Sequence, residues 1–256
     1  MLAKDWPPSP KNGLPIGVEP SGSLTRVRKI LRLTGWSLLG LAGLVTLFLI
    51  YQLFVTDFFN ARSQREASVE LEETLDARRR EIQTVSPTTT AGEVEVLPEL
   101  LVEPAASVGA PFGRIVIDKI GLDAVLFEGV DRDTLQLGPG HMPETPLPGQ
   151  PGNAVISGHR TTYGRPFFDL DQMVVGDTIT VETALGANLY AIRQIIVVAP
   201  TDVWVTEPID GAWLTLTTCN PKFSAAERLI IQAELIEGPN LEYVSALTAA
   251  TLRPAA

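Results

Sequence analysis

The residues with chemistry to offer are few: one cysteine, two histidines and an arginine nine positions beyond the cysteine, in a chain of 256. Cys219 closes a β-type run, Trp213 to Thr218. A lone cysteine cannot form a disulfide within the chain, so it is either buried as a small hydrophobe or there to react. A free thiol of pKa near 8.5 is only a few per cent ionised at neutral pH, so a nucleophilic Cys219 needs neighbours that favour the thiolate. Arg228 opens the next strand-like run after the Cys219–Glu227 turn. Consecutive strands usually pair, which would bring Arg228 beside Cys219 at one end of a sheet. A guanidinium there can favour a thiolate or hold an oxygen that turns negative.

The proton carrier must come from two histidines. His159 follows the strand-like Ala154–Gly158 and precedes the polar loop Arg160–Gly164, the kind of junction where a rigid element presents a functional side chain. With an ordinary pKa near 6.5, it can give a proton to a leaving amine and take one from an incoming amine. His141 lies in the Gly/Pro-rich stretch from Leu137 to Pro146 and reads as a structural or pocket-wall residue, a lesser candidate for the same task. Cys219, His159 and Arg228 together suggest Cys–His nucleophilic catalysis.

The elements that must position them are β-strands. Short Val/Ile-rich runs punctuated by Gly, Pro, Asn and Asp predict strands at Arg114–Ile117, Leu122–Glu128, Asn153–Ser157, Thr178–Glu182, Asn188–Val198, Trp213–Thr218 and Arg228–Leu235. Short helical turns are expected only at Pro166–Met173 and Asp131–Leu135. Many short, closely spaced strands predict an all-β barrel or sandwich over 111–238, a normal size for one core. Residues 239–256 are expected to be a tail.

The rest of the chain points to a membrane. Leu33 to Val55 carries no charge and is long enough to span about 30 Å of hydrocarbon. Residues 1–56 hold six Lys/Arg against two Asp/Glu, whereas residues 57–256 hold fourteen against twenty-eight. The positive-inside rule then puts a basic, disordered tail (1–32) in the cytoplasm, a signal anchor at 33–55, and the rest outside, in oxidising surroundings. Residues 56–110 read as a charged juxtamembrane helix followed by a Pro/Thr/Glu-rich extended linker.

Other chemistries find little support. There is no Gly-rich phosphate loop and no Cys/His set for Zn²⁺. Asp131/Asp133 and Asp169/Asp171 lack the rest of a Ca²⁺ loop and read as solvated loop carboxylates. No metal or cofactor is expected. The acidic exterior argues against nucleic acid. Trp204, Trp213, Phe167 and Phe168 read as core.

The local wording is more specific. Leu216-Thr217-Thr218-Cys219, followed nine residues on by Arg228, resembles the sortase signature of a Thr-Cys pair ending one barrel strand and an Arg opening the next. The stretches Gly138-Pro-Gly-His141, Leu147 to Asn153 and Ser157-Gly-His159-Arg-Thr-Thr-Tyr-Gly are also similar to sortases. The Cys-x-Pro and His-Arg-Thr-Thr-Tyr-Gly wording is most similar to the class E sortases of high-GC Gram-positive bacteria. Met142-Pro-Glu-Thr departs from relatives that carry an aromatic residue and a Gly there, which bears on pocket shape.

The resemblance, over about Gly113 to Leu235, implies a closed β-barrel of seven to eight strands behind one transmembrane helix. It implies Cys219 as nucleophile, His159 as proton carrier and Arg228 as oxyanion or backbone partner, with His141, Tyr163 and Thr218 as candidate substrate-binding side chains. The implied reaction cleaves an LPxTG- or LAxTG-type sorting-signal peptide between Thr and Gly. The acyl group then passes to an amine of a cell-wall precursor or a pilin. Two alternatives stay open: a Cys peptidase that uses water, and a non-catalytic tethered β-domain in which Cys219 is simply buried.

Overall fold

The computed structural model describes residues 22–51, 56–85 and 98–251. The expected cytoplasmic tail up to residue 21, the end of the expected span at 52–55, the linker stretch 86–97 and the last five residues lie outside the described residues. The chain divides into two compact units at Leu49/Ile50.

The first unit is helix α1, Gly22–Ile50. It starts well before the apolar run, because Leu24–Arg32 contains neither Gly nor Pro and continues the helix. Among the described residues, Arg26–Ile50 is the one helix long and apolar enough to cross a membrane. Its leucines, Trp36 and Phe48 are all exposed. An unaccompanied apolar surface of this kind is stable in lipid rather than in water.

The second unit holds a closed eight-stranded barrel. Helix α2, Thr56–Arg80, comes first, then strands β1 (Gln83–Val85) and β2 (Leu100–Val102), which form a small antiparallel pair outside the barrel. The barrel strands are β3 (Pro111–Ile117), β4 (Leu122–Glu128), β5 (Gly140–His141), β6 (Gly152–Ser157), β7 (Thr178–Thr183), β8 (Gly186–Val198), β9 (Ala212–Asn220) and β10 (Glu227–Glu237). They close in the order β10-β8-β7-β3-β4-β5-β6-β9. Seven coincide with predicted runs. The eighth, β5, has only two residues, and no period can be read from two residues. Its pairing with β4 is parallel and with β6 antiparallel, so it bridges an otherwise open seam.

Alternation fills the barrel. Phe112, Ile115 and Ile117 from β3, Ala154 and Ile156 from β6, Tyr190 and Ile192 from β8, Leu214 and Leu216 from β9, and Leu229, Ile231 and Ala233 from β10 share one core. Phe167 joins them. The other aromatics expected in the core do not: Trp204 is half-exposed on the β8–β9 loop, and Phe168 and Trp213 lie at the surface. The period-two pattern explains Trp213, since its neighbours Ala212 and Leu214 take the inward positions.

Short helices sit where loop residues can cap them. Helix α3, Arg132–Leu137, is capped by Asp131, whose carboxylate accepts from the Asp133 and Thr134 amides. A single 3₁₀ turn, Leu170–Gln172, occupies the second expected helical region. Past Gly238, where the sequence reading expects a tail, the chain forms helix α4, Leu241–Thr251, and Val244 joins the barrel core. Buried Asn240 ties this end down, donating to the carbonyls of Leu101 and Gly149 and accepting from the Leu101 amide.

Helix α2 is docked on the barrel rather than standing clear of it. Ala67 and Leu71 are buried against Val125 and Phe127 of β4. The Gln64 side chain pairs with the backbone in both directions, accepting from the Val125 amide at 2.8 Å and donating to the Leu137 carbonyl at 2.9 Å. At the other end, Arg78 meets the fully buried Glu103 carboxylate at 2.6 Å.

Candidate functional site

The barrel brings its candidate residues together through register. Strands β6 and β9 are parallel neighbours, paired from Gly152 with Ala212 to Ser157 with Thr217 without a shift. Carried two residues further, the same register sets His159 beside Cys219. On the other side of β9, antiparallel β10 pairs Arg228 directly with Cys219. Neighbouring strands lie about 4.8 Å apart, so Cys219 and Arg228 share a rung at the strand ends, and His159 follows two residues past the last paired residue of β6. They also share a face. Ala154 and Ile156, Leu214 and Leu216, and Leu229 and Ile231 point into the core. The alternation therefore turns His159, Cys219 and Arg228 to the outside of the barrel.

Cys219 is partly exposed and free. That is not the environment of a core cysteine; the inward position next to it belongs to Thr218, which is buried and donates to the Gly158 carbonyl at 2.7 Å. Thr218 thus ties β9 to the residue before His159 and presents no hydroxyl to the outer face. Arg228 is half-buried, and its Nη1 donates to the carbonyls of Ala225 and Glu227 within its own turn.

His159 is half-buried, with its ring 5.1 Å from the tilted ring of Tyr163. Burial pushes its pKa below the ordinary 6.5. The sign of the linkage follows: between the depressed folded value and 6.5, the unfolded chain binds a proton that the folded chain refuses. Stability contributed by neutral His159 is therefore present above pH 6.5 and is lost as pH falls below it. Thermal unfolding followed by circular dichroism from pH 8 to 5 should show this decline, and His159→Gln should flatten it.

His141 has a different fate. It pairs with Ile156, an inward position, and is 1% exposed. Its Nδ1 lies 3.0 Å from the Glu128 carboxylate, its Nε2 donates to the Pro146 carbonyl at 3.0 Å, and its ring edge meets Phe112. With both nitrogens engaged inside the wall, His141 faces away from the outer row. The loop carboxylates are engaged as well, Asp131 in capping α3 and Asp169 in binding Lys222. No cluster of three metal-ligating side chains occurs among the described residues.

Sequence reasoning passed over Arg160. Its guanidinium is nearly all buried, and it donates from Nε to the Phe168 carbonyl at 2.9 Å and from Nη1 to the Cys219 carbonyl at 3.3 Å. Nη2 meets the Asp171 carboxylate at 3.1 Å. Partial burial alone would raise the Asp171 carboxyl, but the Lys222 ammonium and the Arg160 guanidinium outweigh it and hold it below the usual range. Lys222 also sits 4.2 Å over the Phe168 ring. One buried fork thus fastens the loop after His159 to the backbone of Cys219. The signal was available: a charged residue directly after a buried strand needs partners.

The outer face continues below the row. Ser157, Thr217 and Ile230 form the next rung, then Val155, Thr215 and Gln232. There the β8–β9 loop closes over the strands. Asn153 donates to the carbonyls of Val205 and Glu207 at 3.0 Å each, and accepts from Thr215 at 2.7 Å. The face is open at Cys219 and roofed two rungs away, which suits an extended chain laid along it.

Residues 115–236 match the family model for a sortase domain. Over 145 residues the chain is 32% identical to Sortase SrtE1 of Streptomyces coelicolor, covering 50% of this chain and 41% of that protein. It is 32% identical over 114 residues to Sortase D of Bacillus subtilis, covering 44% of this chain and 56% of that one. The matched part therefore spans about half the length of these curated relatives. Among solved structures, a Clostridium perfringens Sortase D5 transpeptidase superposes with a TM-score of 0.55 at 26% identity, over 69% of this chain and 99% of the other.

Proposed function

Because the chain belongs to the sortase family, we propose that it is a membrane-anchored cysteine transpeptidase acting on a sorting-signal peptide of LPxTG or LAxTG type. What supports this reading is the pairing of Cys219 with Arg228 at the ends of β9 and β10, with His159 two residues beyond the end of β6, the parallel neighbour of β9. The Cys219 sulfur attacks the Thr–Gly carbonyl, and the negative oxygen of the tetrahedral intermediate is met by the Arg228 guanidinium. The C–N bond breaks, the glycine nitrogen leaves with the proton that His159 took from the thiol, and a thioester to Thr remains. An incoming amine then gives its proton to neutral His159 and attacks the thioester; the C–S bond breaks, a new amide forms, and the departing sulfur takes the proton back from His159. The acceptor is an amine of a peptidoglycan precursor or of a pilin.

The anchor suits this chemistry, since α1 confines the enzyme to the surface where a translocated substrate and a lipid-linked acceptor both reside. In this reading the basic flank of α1 is cytoplasmic and the barrel extracellular.

The test uses the full chain in detergent micelles with a peptide bearing the motif, with and without an amine acceptor. A product carrying the acceptor supports transfer. A free Thr carboxylate, unchanged by acceptor, would assign a hydrolase instead. Absence of cleavage for every motif variant would refute the reading. Arg228→Lys keeps the charge but not the fork, and its kcat/KM should fall about 10²-fold.

A further inference from the structure

The loop after His159 is held in an unfavourable backbone. Tyr163, Gly164 and Arg165 are consecutive residues with φ of 50°, 76° and 50°. Left-handed conformations cost roughly 1–3 kcal/mol for a residue with a side chain and persist only where the surroundings over-determine them. Part of the constraint is internal: Arg165 donates to the Thr162 carbonyl at 3.0 Å, Phe168 to that of Arg165 at 3.0 Å, and Phe167 to that of His159 at 3.2 Å.

The other part comes from α2. Asn60 is almost fully buried, and its Nδ2 donates to the carbonyls of Gln136 and Leu137 at 3.0 and 2.9 Å. The far side of the same amide lies against Gly164, so closely that a Cβ on that glycine would collide with Oδ1 and come within 2.7 Å of Cγ. The Asn60 side chain cannot retreat without losing both of its hydrogen bonds. Gln64, Ala67 and Leu71 hold the helix behind it against β4. On the loop side, the Tyr163 ring rests against the His159 ring. A continuous set of contacts therefore runs from β4 through α2 and Asn60 to Gly164, and on through Tyr163 to the imidazole.

We propose that α2 is a working part of the active site, with Asn60 a positioning residue that holds the 159–165 loop, and thereby His159, in its catalytic place. The helix that follows the membrane anchor in sequence is then more than a spacer. The inference rests on His159 being the proton carrier, but its test does not depend on turnover.

The test is a double-mutant cycle on the full chain in micelles, with Asn60→Ala, Gly164→Ala and the pair. The chain has two histidines, so the imidazole Cε1 resonances can be assigned by substitution and titrated by NMR. In Asn60→Ala the His159 midpoint should rise toward 6.5 as the loop loosens and water enters, while His141 does not move. The kcat of peptide cleavage should fall about 10-fold with KM little changed. Gly164→Ala should be far more damaging in the wild-type background than with Asn60→Ala, since removing the amide removes the collision and leaves only the φ strain. An unchanged His159 midpoint together with additive effects would overturn the proposal and leave α2 a spacer. If wild type cleaves no peptide, the transpeptidase reading fails, while the midpoint and the coupling still decide the role of Asn60.

Discussion

Cys219→Ala is expected to lower sorting-signal cleavage by at least about 10⁴-fold while leaving the fold intact. The two halves of this expectation come from different atoms. In the proposed mechanism all covalent chemistry passes through the sulfur, which sits part-exposed at the end of β9. The fold uses only the backbone there: the Cys219 carbonyl receives Arg160, and the strand pairs with β10. Alanine keeps both. A surface substitution of this kind changes stability by about 0.5 kcal/mol or less, so the melting curve should superpose on that of wild type. An alkylating reagent should add once to wild type and not at all to the variant, the chain having one cysteine. Retained cleavage in Cys219→Ala would end the thioester mechanism. An unreactive thiol in a folded wild type would favour the non-catalytic tethered domain.

The second large effect belongs to Arg160. Arg160→Gln should cost about 3 kcal/mol, because it strips charge-assisted hydrogen bonds from two carbonyls at a buried position. The half-exposed Asp171 partner adds little to this, since water screens it. The unfolding midpoint should drop by roughly 10 °C. Measured well below that midpoint, turnover should still fall about 10²-fold, since a displacement of about 1 Å at a reacting group is enough for such a loss. Arg160→Lys restores the charge but cannot span the two carbonyls and Asp171 from a single ammonium. It should therefore recover part of the stability and little of the rate. Full recovery of rate by lysine would mean that Arg160 acts only through its charge.

The strands and their chemistry were legible for different reasons. Seven barrel strands announce themselves as short runs rich in Val, Ile or Leu, most of them ending beside a Gly, Pro or Asp. The pairing of Cys219 with Arg228 follows from a short turn between consecutive strands. The neighbour on the other side could not be read this way: β6 and β9 are parallel and far apart in sequence, and nothing local records that His159 lies across from Cys219. There the motif wording, rather than any period, carried the reading. The docking of α2 was hidden because it depends on Asn60, Gln64 and Arg78, polar residues that look solvent-facing in a charged helix until their backbone partners are known. Trp204 misled in the opposite sense, since a large aromatic suggests a core and this one rides on an exposed loop.

The parallel pairing of β6 with β9 also sets when this protein can act. Between them the chain must leave through β7, return through β8, and only then lay β9 beside β6; β10 closes the ring last and brings Arg228 with it. Contacts of such long sequence separation form late, and barrels built from them fold over milliseconds to seconds. Until β9 and β10 are in place, the chain holds a thiol with neither the imidazole nor the guanidinium that the proposed mechanism needs beside it. In the proposed mechanism, reactivity arrives with ring closure, so the sulfur is ordinary for as long as the barrel is unfinished.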